Sequence, residues 1–339
     1  MLRAGVLVAG CGLAMLPASA PEVQDPGRVV IKCATVAPDG STWMKLLEKM
    51  SKDIYRRTRG RVQFKFFANG VLGEEKSVLE KISYGQIQSA GLTGIGMGEI
   101  LPECRVIELP YWFDTYEDYD YVLERLGPRF EKGFEEKGFV LLGWAEGGFA
   151  NLWSKRPLRT PEDLQQAKVW LRLGDPMTET ILRQMGIQPV PLALGDVLTS
   201  LQTGLIDTVY VSPLALIALQ WFPHVEYCWD VPLFNIEAGL VVDLDTWNSL
   251  RSEDRETVRT SARKHLRELV ERTRKDNAES VQVLKDKGIR FLKPDAAERA
   301  RLEELRDRIA GSLVGRLYDR ELLEEFRRLV AEARARKKQ

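Results

Sequence analysis

The chain holds two histidines, His224 and His265, and four cysteines, Cys11, Cys33, Cys104 and Cys228. Neither set is spaced for metal or nucleophile chemistry, and no H-E-x-x-H, C-x-x-C, G-x-S-x-G or Walker loop occurs. His224 follows Trp221-Phe222-Pro223 and reads as a surface or hinge residue rather than a base. The acidic pairs Asp118/Asp120 and Glu135/Glu136 stand in charged helical stretches, so they read as solvated faces and not as glycosidase carboxylates. The run Gly91 to Gly98 is glycine-rich but is not G-x-G-x-x-G; it suits close backbone approach to a ligand, with Thr93 as a donor. Arg172 is the polar candidate for an anion. It stands two residues after Trp170, so on a strand both project from one face, about 6.6 Å apart. Asp175 follows closely and would neutralise that guanidinium instead. No residue set pairs a nucleophile with a base, and binding without turnover is favoured over an enzyme.

The elements that must position such a site are clearest between Met185 and Pro213. Ile181, Leu182 and Met185 share a helical side that Gly186 stops. Asp196 is placed to cap a short helix carrying Val197, Leu198 and Leu201, which Gly204 ends. Leu205, Ile206, Val209 and Val211 then read as a strand that Pro213 closes. Such βαβ units deliver strand ends to one edge of an open sheet, where α/β folds place ligands. Val29, Ile31 and Cys33 predict a first strand, Ser41 to Arg57 a helix, and Val62, Phe64 and Phe66 a second strand. Further strands are expected at Phe139–Gly143, at Val169–Leu173, at Thr208–Val211 and at Leu240-Val241-Val242. After Ser252, Val258, Ala262, Leu266, Leu269, Thr273, Asn277 and Leu284 track one helical face up to Gly288. Some 35 residues would run about 50 Å, longer than one small lobe; two helices with a break are the alternative. The last residues, Ala333–Gln339, are expected to fray.

Composition bounds the partners. Lys+Arg and Asp+Glu are 49 each in 339 residues, with no basic stripe, which argues against nucleic acid. Residues 1–20 read as a signal segment: Arg3, an apolar run from Ala4 to Leu16, then Ala18-Ser19-Ala20. Val8-Ala9-Gly10-Cys11 resembles a lipoprotein box, so cleavage near Ala20 and lipidation of Cys11 both stay open. Export to the periplasm is the expectation, with a buried N-terminal helix as the alternative. Cys33, Cys104 and Cys228 read as buried hydrophobes, with a Cys104–Cys228 disulfide as the alternative, and no cofactor or metal is implied.

The chain also resembles the solute-binding proteins of tripartite ATP-independent periplasmic (TRAP) transporters, of the DctP type. The resemblance is carried by Pro189-Val190-Pro191 followed by Ser200-Leu201-Gln202-Thr203-Gly204-Leu205-Ile206-Asp207. Lys32 to Ser41, Thr58 to Val62, Gly70 to Gly73, Leu109-Pro110-Tyr111-Trp112-Phe113, Lys155 to Leu158 and Thr160 to Leu164 extend it across residues 29 to 310. It implies a two-lobed α/β binding protein with a long helix bridging both lobes. Lobe I would be 29–148 plus 239–287, lobe II 149–238, and 288–339 C-terminal helices packing on both. It further implies a small organic ligand in the interlobe cleft and delivery to TRAP membrane subunits driven by an ion gradient.

Three positions depart from the family pattern. Where relatives hold a ligand carboxylate with two arginines and an asparagine, this chain matches with Ala150, Trp170 and Ser212. A buried carboxylate without a cation or several donors costs several kcal/mol. The expected ligand is therefore hydrophobic or amphipathic, as in a subgroup found with tetratricopeptide-repeat partner proteins. It would stack on Trp170 and Phe149, with Tyr210 and Ser212 giving hydrogen bonds. Thr35, Trp43, Thr93, Trp112, Ala150, Arg172 and Asp175 complete the expected site, and Tyr111, Phe113, Trp153 and Trp221 are either cleft or core. The alternatives are a carboxylate receptor using Arg172, an acid bridged by calcium on Asp175 and Asp196, an enzyme on a bilobal scaffold, and a scaffold lipoprotein that binds no solute.

Overall fold

The computed structural model describes residues 27–158 and 161–336. The signal segment and Cys11 lie outside the described residues.

The chain opens with β1 (Val29–Thr35), α1 (Thr42–Arg57), β2 (Val62–Phe67), α2 (Glu75–Ser83), β3 (Ser89–Thr93) and α3 (Gly94–Ile100). A 3₁₀ segment, Pro102–Glu108, leads into α4 (Tyr116–Glu136) and β4 (Phe139–Phe149). Ser41 caps α1 by accepting the Met44 N–H, and Thr115 caps α4 by accepting from Asp118. The first sheet has the order β2-β1-β3-β10-β4, where β10 spans Asn235–Asp243. β1 pairs parallel with β2 and β3, while β10 runs antiparallel between β3 and β4. Ile31, Leu92, Leu240 and Val242 are fully buried in it, packed against the apolar face of α1 and against α4.

The second half contains β5 (Asn151–Ser154), α5 (Pro161–Gln165), β6 (Trp170–Arg172), α6 (Pro176–Gln184), β7 (Val190–Leu192), α7 (Val197–Thr203), β8 (Thr208–Val211), α8 (Pro213–Ala218) and β9 (Tyr227–Trp229). After β10 come α9 (Leu244–Ser249), α10 (Ser252–Asp286), β11 (Arg290–Leu292), α11 (Ala296–Ser312) and α12 (Arg320–Arg336). β11-β9-β5-β8 form the second sheet, and the β6–β7 pair joins it through a Val169–Thr208 bridge. Trp153, Trp221, Val209 and Ile206 fill the core beneath.

Two chain crossings join the halves, and they pair with each other. Ala150 N–H donates to the Phe234 carbonyl at 2.9 Å, and Leu233 N–H donates to the Ala150 carbonyl at 2.8 Å. The third connection is α10, a single unbroken helix of 35 residues. Its Val258, Ala262, Leu266 and Leu269 pack in the first half, and its Leu284 packs in the core of the second. Asn277 ties the two at the crossing: its amide donates to Gly147 O and accepts from Leu214 N–H, both at 3.0 Å. The architecture is therefore the two-lobed α/β fold, with the long helix spanning both lobes.

Several local expectations change. Leu205 and Ile206 precede the strand, which starts at Thr208; Leu205 is exposed, and Pro213 opens α8 rather than ending the chain's run. Asp196 caps nothing, because it stands in a 3₁₀ turn with αR backbone from which its carboxylate does not reach the α7 amides. β4 continues past Gly143 to Phe149, and β10 begins at Asn235. The C-terminal segment contributes a strand, β11, to the second sheet. Ala333 is buried and α12 holds to Arg336, so fraying does not begin at Ala333. Cys33, Cys104 and Cys228 are free thiols buried in three separate cores, so Cys104 and Cys228 are not bonded. Burial pushes the Cys33 thiol up to about 12.

Candidate ligand cleft

A cavity of about 440 Å³ lies between the lobes, within the usual range for a small-molecule site. It collects the carboxyl ends of four strands: Thr35 of β1, Thr93 of β3, Arg172 of β6 and Val211 of β8. The first lobe adds Trp43 and Lys45 from the start of α1. The second lobe adds Leu214 and Leu219 from α8 and its following turn, and Phe234 and Ile236 come from the crossing strand. The walls are mainly aliphatic and aromatic.

Trp170 lines the second lobe's side of the cavity and is itself almost wholly buried. It stacks on Tyr210 at 5.1 Å between centroids and meets Trp221 edge-on at 5.3 Å. Its indole N–H donates to the Leu192 carbonyl, so the polar edge is satisfied inside the protein. The Tyr210 hydroxyl accepts from the Arg172 N–H at 3.1 Å. Ser212 caps α8 by accepting from Ala215 N–H. Thr93 donates both N–H and hydroxyl to Glu75, at 2.7 and 2.8 Å, so its proton is used within the first lobe.

Two guanidinium groups line the cavity, and both are matched by acids. Arg105 is buried in the 3₁₀ segment with its Nε against Glu108, and its Nη1 donates to Asp175 at 3.2 Å. Burial alone would depress Arg105, but Asp175 and Glu108 beside it hold it above its ordinary range. Arg172 faces Glu74 at 3.4 Å and Glu75 at 3.8 Å. Its own burial is likewise outweighed by Glu75 and Glu74. The carboxylate that neutralises Arg172 is therefore not Asp175, which caps α6 through Thr178 and pairs with Arg105. Among the described residues no metal-ligating cluster is present, and Asp175 is occupied by these contacts.

The cleft thus gathers Thr35, Trp43, Thr93, Trp170, Arg172, Asp175, Tyr210 and Ser212. Three expected residues lie elsewhere. Trp112 is buried against Phe326 of α12 at 5.1 Å, with Arg306 over its ring. Phe149 packs on Tyr116 at 4.7 Å. Ala150 is sealed between the crossing strands by the two backbone bonds already described. Phe113 and Trp221 are core as well. Sequence reasoning missed Lys45, Arg105, Glu108 and Phe234. Arg105 carried a usable signal: a charge set between Cys104 and Val106-Ile107 implies a buried ion pair.

Beneath Arg105 lies a second carboxyl. Glu108 accepts the Glu237 N–H at 2.9 Å, and the Glu237 carboxyl is itself buried. Burial, then the Glu108 charge, holds Glu237 well above the ordinary value of 4.5. The native state therefore binds more protons than the unfolded chain above that value. This contribution to stability is complete below the unfolded pKa and is lost as pH rises towards the folded one. Glu237→Gln keeps the shape without the charge. It is expected to be more stable than wild type at pH 7–8, the difference vanishing towards about pH 4. Thermal melts across that range check it; an offset independent of pH would contradict it.

Two α/β lobes around a cleft, joined by paired crossings and a through-running helix, define a two-lobed solute-binding receptor. The chain belongs to the bacterial extracellular solute-binding protein family 7, DctP, which it matches over residues 33–312. It is 27% identical over 267 residues to a solute-binding protein of Chromohalobacter salexigens, covering 78% of this chain and 79% of that one. It is 25% identical over 308 residues to the C4-dicarboxylate-binding periplasmic protein DctP of Rhodobacter capsulatus, covering 89% and 90%. A TRAP periplasmic solute-binding protein from Citrobacter koseri, solved with bound D-glucuronate, superposes with a TM-score of 0.79 at 25% identity. That match covers 88% of this chain and 98% of that one. Receptors of this family bind small ligands and work with TRAP membrane subunits. Among the described residues no helix is long and apolar enough to cross a membrane.

Proposed function

We propose that this receptor takes an apolar or amphipathic small molecule into the cleft and presents it, from the periplasm, to an ion-gradient-driven TRAP transporter. The observation that carries the ligand class is the cavity wall. Trp43, Trp170, Leu214, Leu219, Phe234 and Ile236 are among its apolar lining, and Arg105 and Arg172 are both already paired with acids. A ligand carboxylate would enter a site whose two guanidinium groups are engaged and whose remaining cation, Lys45, is on its exposed rim, so burying it would cost several kcal/mol without full compensation. An apolar body gains about 25 cal/mol per Å² on leaving water.

A second reading has support of its own. The Arg172 Nε has no hydrogen-bond partner in the structure, and its bonds to Glu74 and Thr93 are both long, at 3.4 Å. The Citrobacter koseri relative holds D-glucuronate. A carboxylate seated on Arg172 is that reading. Thermal-shift screening separates the two through mass action. Stabilisation by neutral apolar compounds is the expected result. Stabilisation by uronates and dicarboxylates alone, abolished in Arg172→Ala, would replace it.

Turnover is not part of this reading. His265 is bonded to the Ser261 carbonyl within α10, and neither histidine lines the cavity. Steady conversion of any bound compound would contradict it. Sheet membership supports lobes of 29–148 with 239–287 and of 149–238, with the return point moved to Asn235 and β11 added to the second lobe. The same reading includes export by residues 1–20 and a periplasmic tetratricopeptide-repeat protein as a second partner. The latter is supported by the replaced arginine positions alone.

A further inference from the structure

Glu74 and Glu75 are adjacent, yet they do different things. Glu75 points inward and is fully used: it accepts from Thr93 N–H, the Thr93 hydroxyl and Gly96 N–H at 2.7, 2.8 and 2.8 Å. Glu74 occupies the N-cap position of α2, but its side chain caps nothing there. It reaches across the cleft instead. One oxygen faces Arg172 Nη2 at 3.4 Å, and the other accepts the Leu194 N–H at 3.4 Å. Arg172 and Leu194 both belong to the second lobe, whereas Glu74 belongs to the first. The Glu74 side chain is 33% exposed, against 10% for Arg172 and 3% for Glu75.

Arg172 lines the mainly apolar cavity, and Glu74, which pairs with it, stands at the contact between the lobes beside the cavity rather than in its lining. A second carboxylate arriving with a solute would compete for the same guanidinium edge and meet like charge from Glu74 and Glu75. Discrimination by an uncompensated charge is a general route to specificity. We propose that Glu74 is a selectivity residue: it occupies Arg172 in place of a ligand carboxylate and so turns acidic solutes away. The proposal rests on the apolar reading of the cleft. It adds that the reading depends on one removable side chain.

The test uses the full chain as wild type, Glu74→Gln, Glu74→Ala and Glu74→Gln/Arg172→Gln. Calorimetric titration with D-glucuronate and with phenylacetate reads the gate, and fluorescence titration with neutral N-phenyl-1-naphthylamine reads the cavity. The expected result is a gain of about tenfold or more in affinity for at least one carboxylate in both single variants. The double variant is expected to lose that gain, and in the single variants affinity for the neutral probe is expected to move by less than about threefold. No gain for either carboxylate in either single variant overturns the proposal, as does a gain that survives loss of Arg172. Failure of the wild type to take the neutral probe counts against the apolar reading and leaves the glucuronate and phenylacetate comparison to decide the role of Glu74.

Discussion

Replacing Arg105 by leucine is expected to destabilise the protein by about 3–5 kcal/mol, the range for stripping one partner from a buried ion pair. The geometry explains the size. Arg105, Glu108 and Asp175 all have side chains no more than 5% exposed. The guanidinium lies between a carboxylate of its own 3₁₀ segment and the N-cap of α6 in the other lobe. Leucine leaves Glu108 and Asp175 without their cation, and the buried Glu237 carboxyl stands close to Glu108. Burial already holds Glu108 above the usual carboxyl range despite Arg105. Without the cation that rise increases. The unfolded chain then holds fewer protons than the native one over a wider window, so the deficit of the variant shrinks as pH falls. Urea melts at pH 7 and at about pH 5 check both statements. A deficit under 1 kcal/mol, or one that deepens with acid, would contradict this account.

Gly148→Ala is expected to be comparably damaging. Gly148 has φ of +88°, a region that L side chains rarely adopt. That strain costs about 1–3 kcal/mol. A methyl group there would also press on the Asn277 amide and stand 3.0 Å from the Tyr116 hydroxyl. Overpacking of that kind costs a further 1–3 kcal/mol, as an order of magnitude. Gly174 is the control, because its φ is +82° and nothing lies within 4 Å of an added Cβ. Gly174→Ala should lose the backbone term alone. Equal losses at the two positions would show that crowding at the crossing is unimportant. Because Asn277 joins Gly147 to Leu214, Gly148→Ala should also weaken ligand binding.

Much of the scaffold was legible in residue patterns. Val258, Ala262, Leu266, Leu269, Thr273, Asn277 and Leu284 share a helical face, and all seven are buried in one continuous helix. A single periodicity persists there because two cores press on the same side of the rod. The second-lobe strand at Thr208–Val211 was equally clear. Its flank was not: Leu205 and Ile206 are apolar, but Asp207 turns there to accept the Lys168 N–H, and the chain only then becomes extended. The site was half legible. Trp43, Trp170, Tyr210 and Ser212 line the cavity because each stands at or beside a strand end or helix start. Trp112 and Phe149 fall outside the cavity lining because an aromatic near a cleft motif looks the same from sequence whether it faces solute or packs on α12 or α4. The partners of Arg172 were invisible for a different reason. Glu74 and Glu75 are about a hundred residues away, and only tertiary folding brings them across.

The unbroken α10 sets a mechanical limit. Its hydrogen-bonded backbone continues from one lobe into the other, so swinging them apart must flex a stiff column and strain the Asn277 fastening. Long helices curve gently unless a proline, a π-turn or an inserted group breaks the ladder, and no proline or glycine falls between Ser252 and Asp286. Opening the lobes therefore bends this column, and the bend acts as an elastic return. A contact that favoured the bent helix, such as docking on the membrane subunits, would offset that return and ease release of the cargo.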